Sequence, residues 1–160
     1  RPGHYDVDEL GFNYRMNEIE AAVGLCQLER LDNHLKIREK NYNTLYSKLQ
    51  NIEKIKLFPN KSGKSLSSYY CFNIVFNQDS KLDRNTIQDN LKEVGIGSSI
   101  HYPSAVPMFT YYSKKYNFKK GDFPISEWLG ENTISLPIGP HINCEDINYI
   151  ADNLYRLLTK

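Results

Sequence analysis

Two short segments of this chain set polar side chains where they can meet a ligand. The first is Gly11-Phe12-Asn13-Tyr14-Arg15-Met16, directly before an apolar-periodic stretch. An Asn amide, an Arg guanidinium and the free N–H groups of a helix start are all donors, so the segment has the chemistry of an anion site. The same residues also suit a plain turn into a helix. The second is His101-Tyr102-Pro103. A strand end followed by a proline-fixed turn is where polar side chains are presented to a cleft. It suits equally a surface turn with a partly packed tyrosine. Residue types alone leave both segments open.

Other chemistries are excluded by spacing. Gly63-Lys64-Ser65 ends like a phosphate-binding loop, but that motif needs a glycine five residues earlier, where Phe58 stands, and no strand–loop–helix context surrounds it. His4, His34, His101 and His141 form no metal-ligand pattern, and none pairs with another at i, i+4. Gly-x-Ser-x-Gly is absent, so no serine sits in a nucleophile elbow. Cys26, Cys71 and Cys144 are widely spaced and odd in number. They read as reduced thiols of a cytoplasmic protein, not as a disulfide frame or a zinc site.

The elements that must position these residues follow from periodicity. Asn17 and Glu20 form a capping-box pattern before Ile19, Ala22, Val23, Cys26 and Leu28 at helical spacing, with Leu25 widening the stripe. Asp32 and Asn33 offer a second cap, for a more charged helix carrying Leu35, Tyr42, Leu45, Tyr46 and Leu49 to about Gln50. Strands are expected at 55–58, 69–76, 96–100 and 133–136, with a polar, mobile loop at 60–68. Asp83 caps a helix stopped by Gly95, 111–116 makes one or two helical turns, Pro124 opens a helix through Leu129, and Asn143 caps the last one. This order predicts an α/β two-layer sandwich with a small, mainly antiparallel sheet, preceded by long N-terminal helices. The chain divides on this reading into a signature segment with interdomain helices (1–50) and a small α/β domain (51–160).

Composition narrows the class. The 160 residues, 40% hydrophobic and 24% charged, suffice for one cored domain. Twenty basic against 19 acidic residues leave a net charge of +1, which argues against a nucleic-acid partner. No apolar run approaches the roughly 20 residues of a membrane helix. Twelve tyrosines suit interfaces and polar pockets, although a genomic compositional bias would enrich them too.

The run from Gly11 to Leu31, GFNYRMNEIEAAVGLCQLERL, resembles the signature of the DegT/StrS family. The resemblance continues through His101-Tyr102-Pro103, Ser135-Leu136-Pro137-Ile138 and the closing amphipathic helix, in family order. It implies the C-terminal part of a fold-type I aminotransferase that uses pyridoxal 5'-phosphate (PLP) to aminate a keto-sugar carried on a nucleotide.

The resemblance also implies roles. Asn13 matches the asparagine that reaches across a homodimer interface to the cofactor phosphate, and Arg15 the arginine beside it. His101 and Tyr102 match the pair at the sugar-nucleotide entrance. The family's cofactor-bearing lysine, ring-stacking aromatic and acidic partner of the pyridine nitrogen precede the signature, so this reading expects the 160 residues alone to be inactive. Lys36, Lys40 and Lys48 follow the signature on an exposed helix face and are not replacements. An Arg1-Pro2 start without Met reads as a truncation. A non-catalytic dimerisation or binding module, and a dehydratase relative lacking the lysine, are the alternatives.

Overall fold

The computed structural model describes Gly3, Asp6, residues 8–80 and residues 82–159. Arg1-Pro2 and His4 lie outside the described residues. The chain splits into two compact units, Arg1–Asp32 and Asn33–Lys160.

In the first unit the backbone is irregular until α1 (Glu18–Leu49) begins. The capping box is formed: the Glu20 N–H donates to Asn17 Oδ1 at 2.9 Å, and the Asn17 N–H donates back to Glu20 Oε2 at 3.3 Å. Each bond satisfies a donor that a helix start leaves unpaired. Of the apolar stripe read from the sequence, Ile19, Ala22, Val23 and Cys26 share one face of α1, whereas Leu28 stands about 180° around the helix from Ile19; all are uncovered within this unit. Ile19 is 79% exposed, Val23 58% and Leu28 65%.

The expected helix break at Asp32 and Asn33 does not occur; α1 is continuous through both. A side-chain cap helps only where backbone N–H groups lack partners, and here the i−4 carbonyls already serve them. No proline or glycine interrupts the stretch after Gly24, and both residues are exposed, so neither hinders the helix.

The second unit begins inside α1, because Tyr42, Leu45 and Leu49 belong to its core. Its sheet holds β1 (Ile55–Leu57), β4 (Phe72–Phe76) and β5 (Thr133–Leu136) in the antiparallel order β1-β4-β5. Register pairs Phe72 with Leu136 and Asn73 with Ser135. Alternation sends Phe72, Ile74, Phe76, Ile134 and Leu136 into the core with Ile87 and Leu91 of α2 (Arg84–Glu93). Ile147, Leu154 and Leu158 of α5 (Cys144–Thr159) join them. The α/β class with a small antiparallel sheet is therefore as expected.

Three details differ from the sequence reading. The strand expected at 69–76 starts only at Phe72, since Tyr69 adopts a left-handed φ of 52° that no strand accommodates. The strand expected at 96–100 reduces to one bridge, Ser99 with Ser135. The loop at 60–68 contains a hairpin, β2 (Lys61–Ser62) with β3 (Ser65–Leu66), turned by Gly63 at φ 58°. Gly63-Lys64 is thus the tip of a two-stranded ribbon.

The other helix signals hold. Asp83 Oδ2 accepts from the N–H of Thr86 at 2.7 Å, and Gly95 takes φ 78° just past α2. Asn143 Oδ1 accepts from Asp146 at 2.9 Å to start α5. Helices α3 (Thr110–Tyr116) and α4 (Pro124–Asn132) lie between the sheet strands in sequence.

Candidate functional site

Strand alternation gives the sheet a second face unlike the first. Asn73 on β4 and Thr133 and Ser135 on β5 point away from the apolar core, and α4 packs against β4 on that side. Between them lies a cavity of about 780 Å³, with these three polar residues at its floor.

One wall comes from the segment after Ile100: His101, Tyr102, Ser104 and Ala105, then the short helical turn Val106–Met108. The opposite wall is α4, through Ser126, Leu129 and Gly130. Tyr70 and Cys71, just before β4, complete the lining. Tyr102 is 65% exposed, which places it at the rim. No Lys, Arg, Asp or Glu side chain lines the cavity among the described residues.

Each wall is fixed by named contacts. The Ser99 N–H donates to the Ser135 carbonyl at 3.0 Å, and the Ser135 N–H returns a bond to the Ser99 carbonyl at 2.8 Å. That pair of bonds sets the start of the His101-Tyr102 segment. On α4, the buried Glu127 carboxylate accepts from the N–H groups of Gly121 at 3.0 Å and Phe123 at 3.1 Å. The carboxylate thereby holds the turn that leads into the helix. Arg84 donates to the Gly130 carbonyl from α2. The Arg38 guanidinium sits 5.7 Å above the Tyr70 ring and reaches the Tyr70 carbonyl at 3.4 Å.

Beneath Tyr70, the buried Tyr69 hydroxyl donates to Glu39 Oε1 at 2.8 Å. Burial, and then that bond to a carboxylate, hold the Tyr69 phenol above its usual pKa. Burial does the same for Tyr42, with Tyr46 and Cys71 adding to it.

His101 and Tyr102 thus stand together on a cavity wall. Asn13 and Arg15 belong to the first unit, where both are exposed and the Arg15 N–H donates to Asn13 Oδ1 at 3.1 Å. This bond engages the amide oxygen, and no hydrogen bond from the Asn13 Nδ2 or the Arg15 guanidinium occurs among the described residues. That remaining donor set suits a phosphate group.

Sequence reasoning missed Asn73, Thr133 and Ser135. Their signal was present as polar residues at alternate positions of otherwise apolar strands, the mark of a sheet face that is not core. No group of three or more His, Cys, Asp and Glu side chains suited to a metal occurs among the described residues. No described helix is long and apolar enough to cross a membrane.

Comparison with known proteins adds the context. The model of the DegT/DnrJ/EryC1/StrS aminotransferase family matches residues 1–155. The GDP-perosamine synthase of Escherichia coli O157:H7 is 32% identical, over 94% of this chain and 38% of its own length. A UDP-4-amino-4,6-dideoxy-N-acetyl-beta-L-altrosamine transaminase of Campylobacter jejuni is 27% identical, over 97% of this chain and 40% of its own. The PLP-form of Spr1654 from Streptococcus pneumoniae superposes with a TM-score of 0.83 at 25% identity, covering 98% of this chain and 39% of that one. The chain therefore spans about 40% of the length of the relatives it matches.

Proposed function

The chain belongs to the DegT/DnrJ/EryC1/StrS aminotransferase family, and from that premise we propose that it is the C-terminal part of an enzyme that aminates a nucleotide-linked keto-sugar. The observation that carries this reading is the placement of His101 and Tyr102 on the wall of a cavity of sugar-accommodating size that no Lys, Arg, Asp or Glu lines among the described residues. The relatives named above, a perosamine synthase and an amino-sugar transaminase, support the same substrate class. The product would feed a cell-surface polysaccharide or another modified-sugar pathway in the cytoplasm.

The reading includes PLP as cofactor. Asn13, through its amide N–H groups, and Arg15 would hold the cofactor phosphate. PLP when bound supplies the aldehyde and the electron-withdrawing ring on which amino transfer depends. His101 and Tyr102 would orient the sugar at the cavity mouth, and the floor would exclude water from beneath it. Lys36, Lys40 and Lys48 are exposed on α1, and no lysine lines the cavity among the described residues. We therefore read the 160 residues alone as inactive.

The working unit in this reading is a homodimer. Ile19, Val23, Leu25 and Leu28 leave exposed apolar surface on more than one face of the first half of α1. Apolar patches beyond a few hundred Å² mark interaction surfaces, and a cross-subunit role for Asn13 requires such contact.

The test uses protein from the complete reading frame, PLP, L-glutamate as amino donor and a panel of dTDP-, UDP- and GDP-linked 4-keto-6-deoxyhexoses. Mass spectrometry should find an amino-sugar nucleotide for at least one of them. A deoxygenated sugar without nitrogen would move the protein to the dehydratase branch. No turnover of any panel member would overturn the reading.

A further inference from the structure

The floor of the cavity carries more information than its rim. Ser135 is 6% exposed and is tied by backbone to Ser99 on one side and paired in register with Asn73 on the other. Its hydroxyl donates to Asn73 Oδ1. The amide oxygen is therefore engaged, and the Asn73 Nδ2, with two N–H groups, has no protein partner among the described residues. The next residue along that face, Thr133, donates its hydroxyl proton to the Leu129 carbonyl at 2.5 Å. What Thr133 can offer the cavity is an oxygen lone pair.

The floor thus sets a fixed donor beside a fixed acceptor, while Tyr70, Val106 and Leu129 provide apolar flanks. A ring hydroxyl accepts and donates at once, and the C–H faces of a sugar suit apolar walls. A diphosphate needs cationic partners to offset its desolvation. No lysine or arginine lines this cavity among the described residues, and His101 stands on the wall beside Tyr102 and not at the floor.

We propose that Asn73, held in orientation by Ser135, is the specificity-determining residue that donates to a hydroxyl oxygen carried on the sugar ring, so that the cavity takes the glycosyl group and not the diphosphate. This assignment rests on the nucleotide-sugar reading of the site. Asn73 touches the substrate; Ser135 is a positioning residue that acts through it. Specificity follows because a sugar presenting a C–H at that position leaves a desolvated N–H group unpaired.

The test is calorimetric binding to the complete protein of the dTDP-, UDP- and GDP-linked 4-keto-6-deoxyhexoses, each compared with its own nucleoside diphosphate. The wild type binds at least one nucleotide sugar more tightly than its diphosphate alone. Asn73→Asp replaces the donor by an acceptor and removes that gain, weakening the nucleotide sugar about tenfold, the worth of one hydrogen bond. Binding of the free nucleoside diphosphate stays within about twofold. Ser135→Ala frees the amide to rotate and gives a smaller loss of the same increment, with KM raised and kcat changed less. Should Asn73→Asp not fold, Asn73→Ser, which withdraws the amide, is measured instead with the same expectation.

Equal weakening of nucleotide sugar and nucleoside diphosphate would overturn the assignment, as would a sugar increment untouched by Asn73→Asp and Ser135→Ala. Wild-type protein that binds no nucleotide sugar would instead overturn the substrate reading on which the assignment rests. The two failures are therefore distinguishable.

Discussion

Gly130 of α4 and Ala105 of the cavity wall meet backbone to backbone: a Cβ on Gly130 would stand 2.9 Å from the Ala105 nitrogen, and as close to the Ser104 carbonyl carbon. The neighbours are main chain, not flexible side chain, so neither gives way cheaply. The missing methyl at position 130 therefore fixes how closely the segment carrying His101 and Tyr102 approaches the helix.

Gly130→Ala tests this. In an open helix interior the change stabilises by about 0.5–1 kcal/mol, because alanine loses less backbone freedom. Overpacking a tight contact costs about 1–3 kcal/mol, so the net expectation is destabilisation by about 1 kcal/mol. The urea midpoint should fall, and nucleotide-sugar binding should weaken as the wall shifts outward. A stabilised Gly130→Ala protein would show that the wall yields freely.

Asn41 is buried on α1, and its Nδ2 donates to the carbonyls of Gly139 at 3.3 Å and Ile142 at 3.0 Å. It clamps the turn between β5 and α5. The Gly139 carbonyl also accepts from the Ile142 N–H at 3.0 Å, so Asn41→Ala chiefly leaves the Ile142 carbonyl short of a donor, at a cost of about 1–3 kcal/mol. Equilibrium denaturation in urea should show the loss. The cavity lies outside this clamp, so the preference for nucleotide sugar over nucleoside diphosphate should persist in the variant.

Tyr69 gives an alkaline signature. Its folded pKa is raised by burial and by Glu39 above the ordinary value of about 10. The folded state holds this proton more tightly than the unfolded chain. The associated stability is fully present below about pH 10 and is lost as pH rises through the folded pKa. Tyr69→Phe removes the bond to Glu39 and should destabilise by about 1 kcal/mol at neutral pH. Unfolding curves between pH 7 and 11 should show the wild-type advantage constant at first and shrinking at the alkaline end. An advantage that grows with pH would contradict the assigned sign.

Asn13 is the sharpest test of assembly. In the proposed homodimer its amide donates to the cofactor phosphate across the interface. Losing a charge-assisted bond of about 1.5–3 kcal/mol should lower PLP affinity about ten- to a hundredfold in Asn13→Ala. Absorbance titration of the complete protein measures this without turnover. A dimer pairing an Asn13→Ala chain with a chain lacking the cofactor-bearing lysine would have one site with both lesions and one with neither. About half the activity per dimer should survive; a nearly inactive mixed dimer would place Asn13 within its own subunit.

Much of this was legible in the chain itself. Asn17, Asp83 and Asn143 are helix caps, and local hydrogen bonds within three residues decide whether a cap forms. The alternation around Ile74 and Ile134 marks two strands with an apolar face. The family is written in the order of residues 11–31 and in His101-Tyr102-Pro103. Tertiary structure decided what depends on contacts distant in sequence. Asp32 and Asn33 have cap chemistry, but cap chemistry acts only where a helix actually ends. Residues 96–100 have strand chemistry, yet only Ser99 reaches a partner carbonyl, so a single bridge results. The floor of the cavity needed the pairing of residue 73 with residue 135. Register across 62 positions places Ser135 beside Asn73, and no local rule encodes a hydrogen bond between side chains so far apart in sequence.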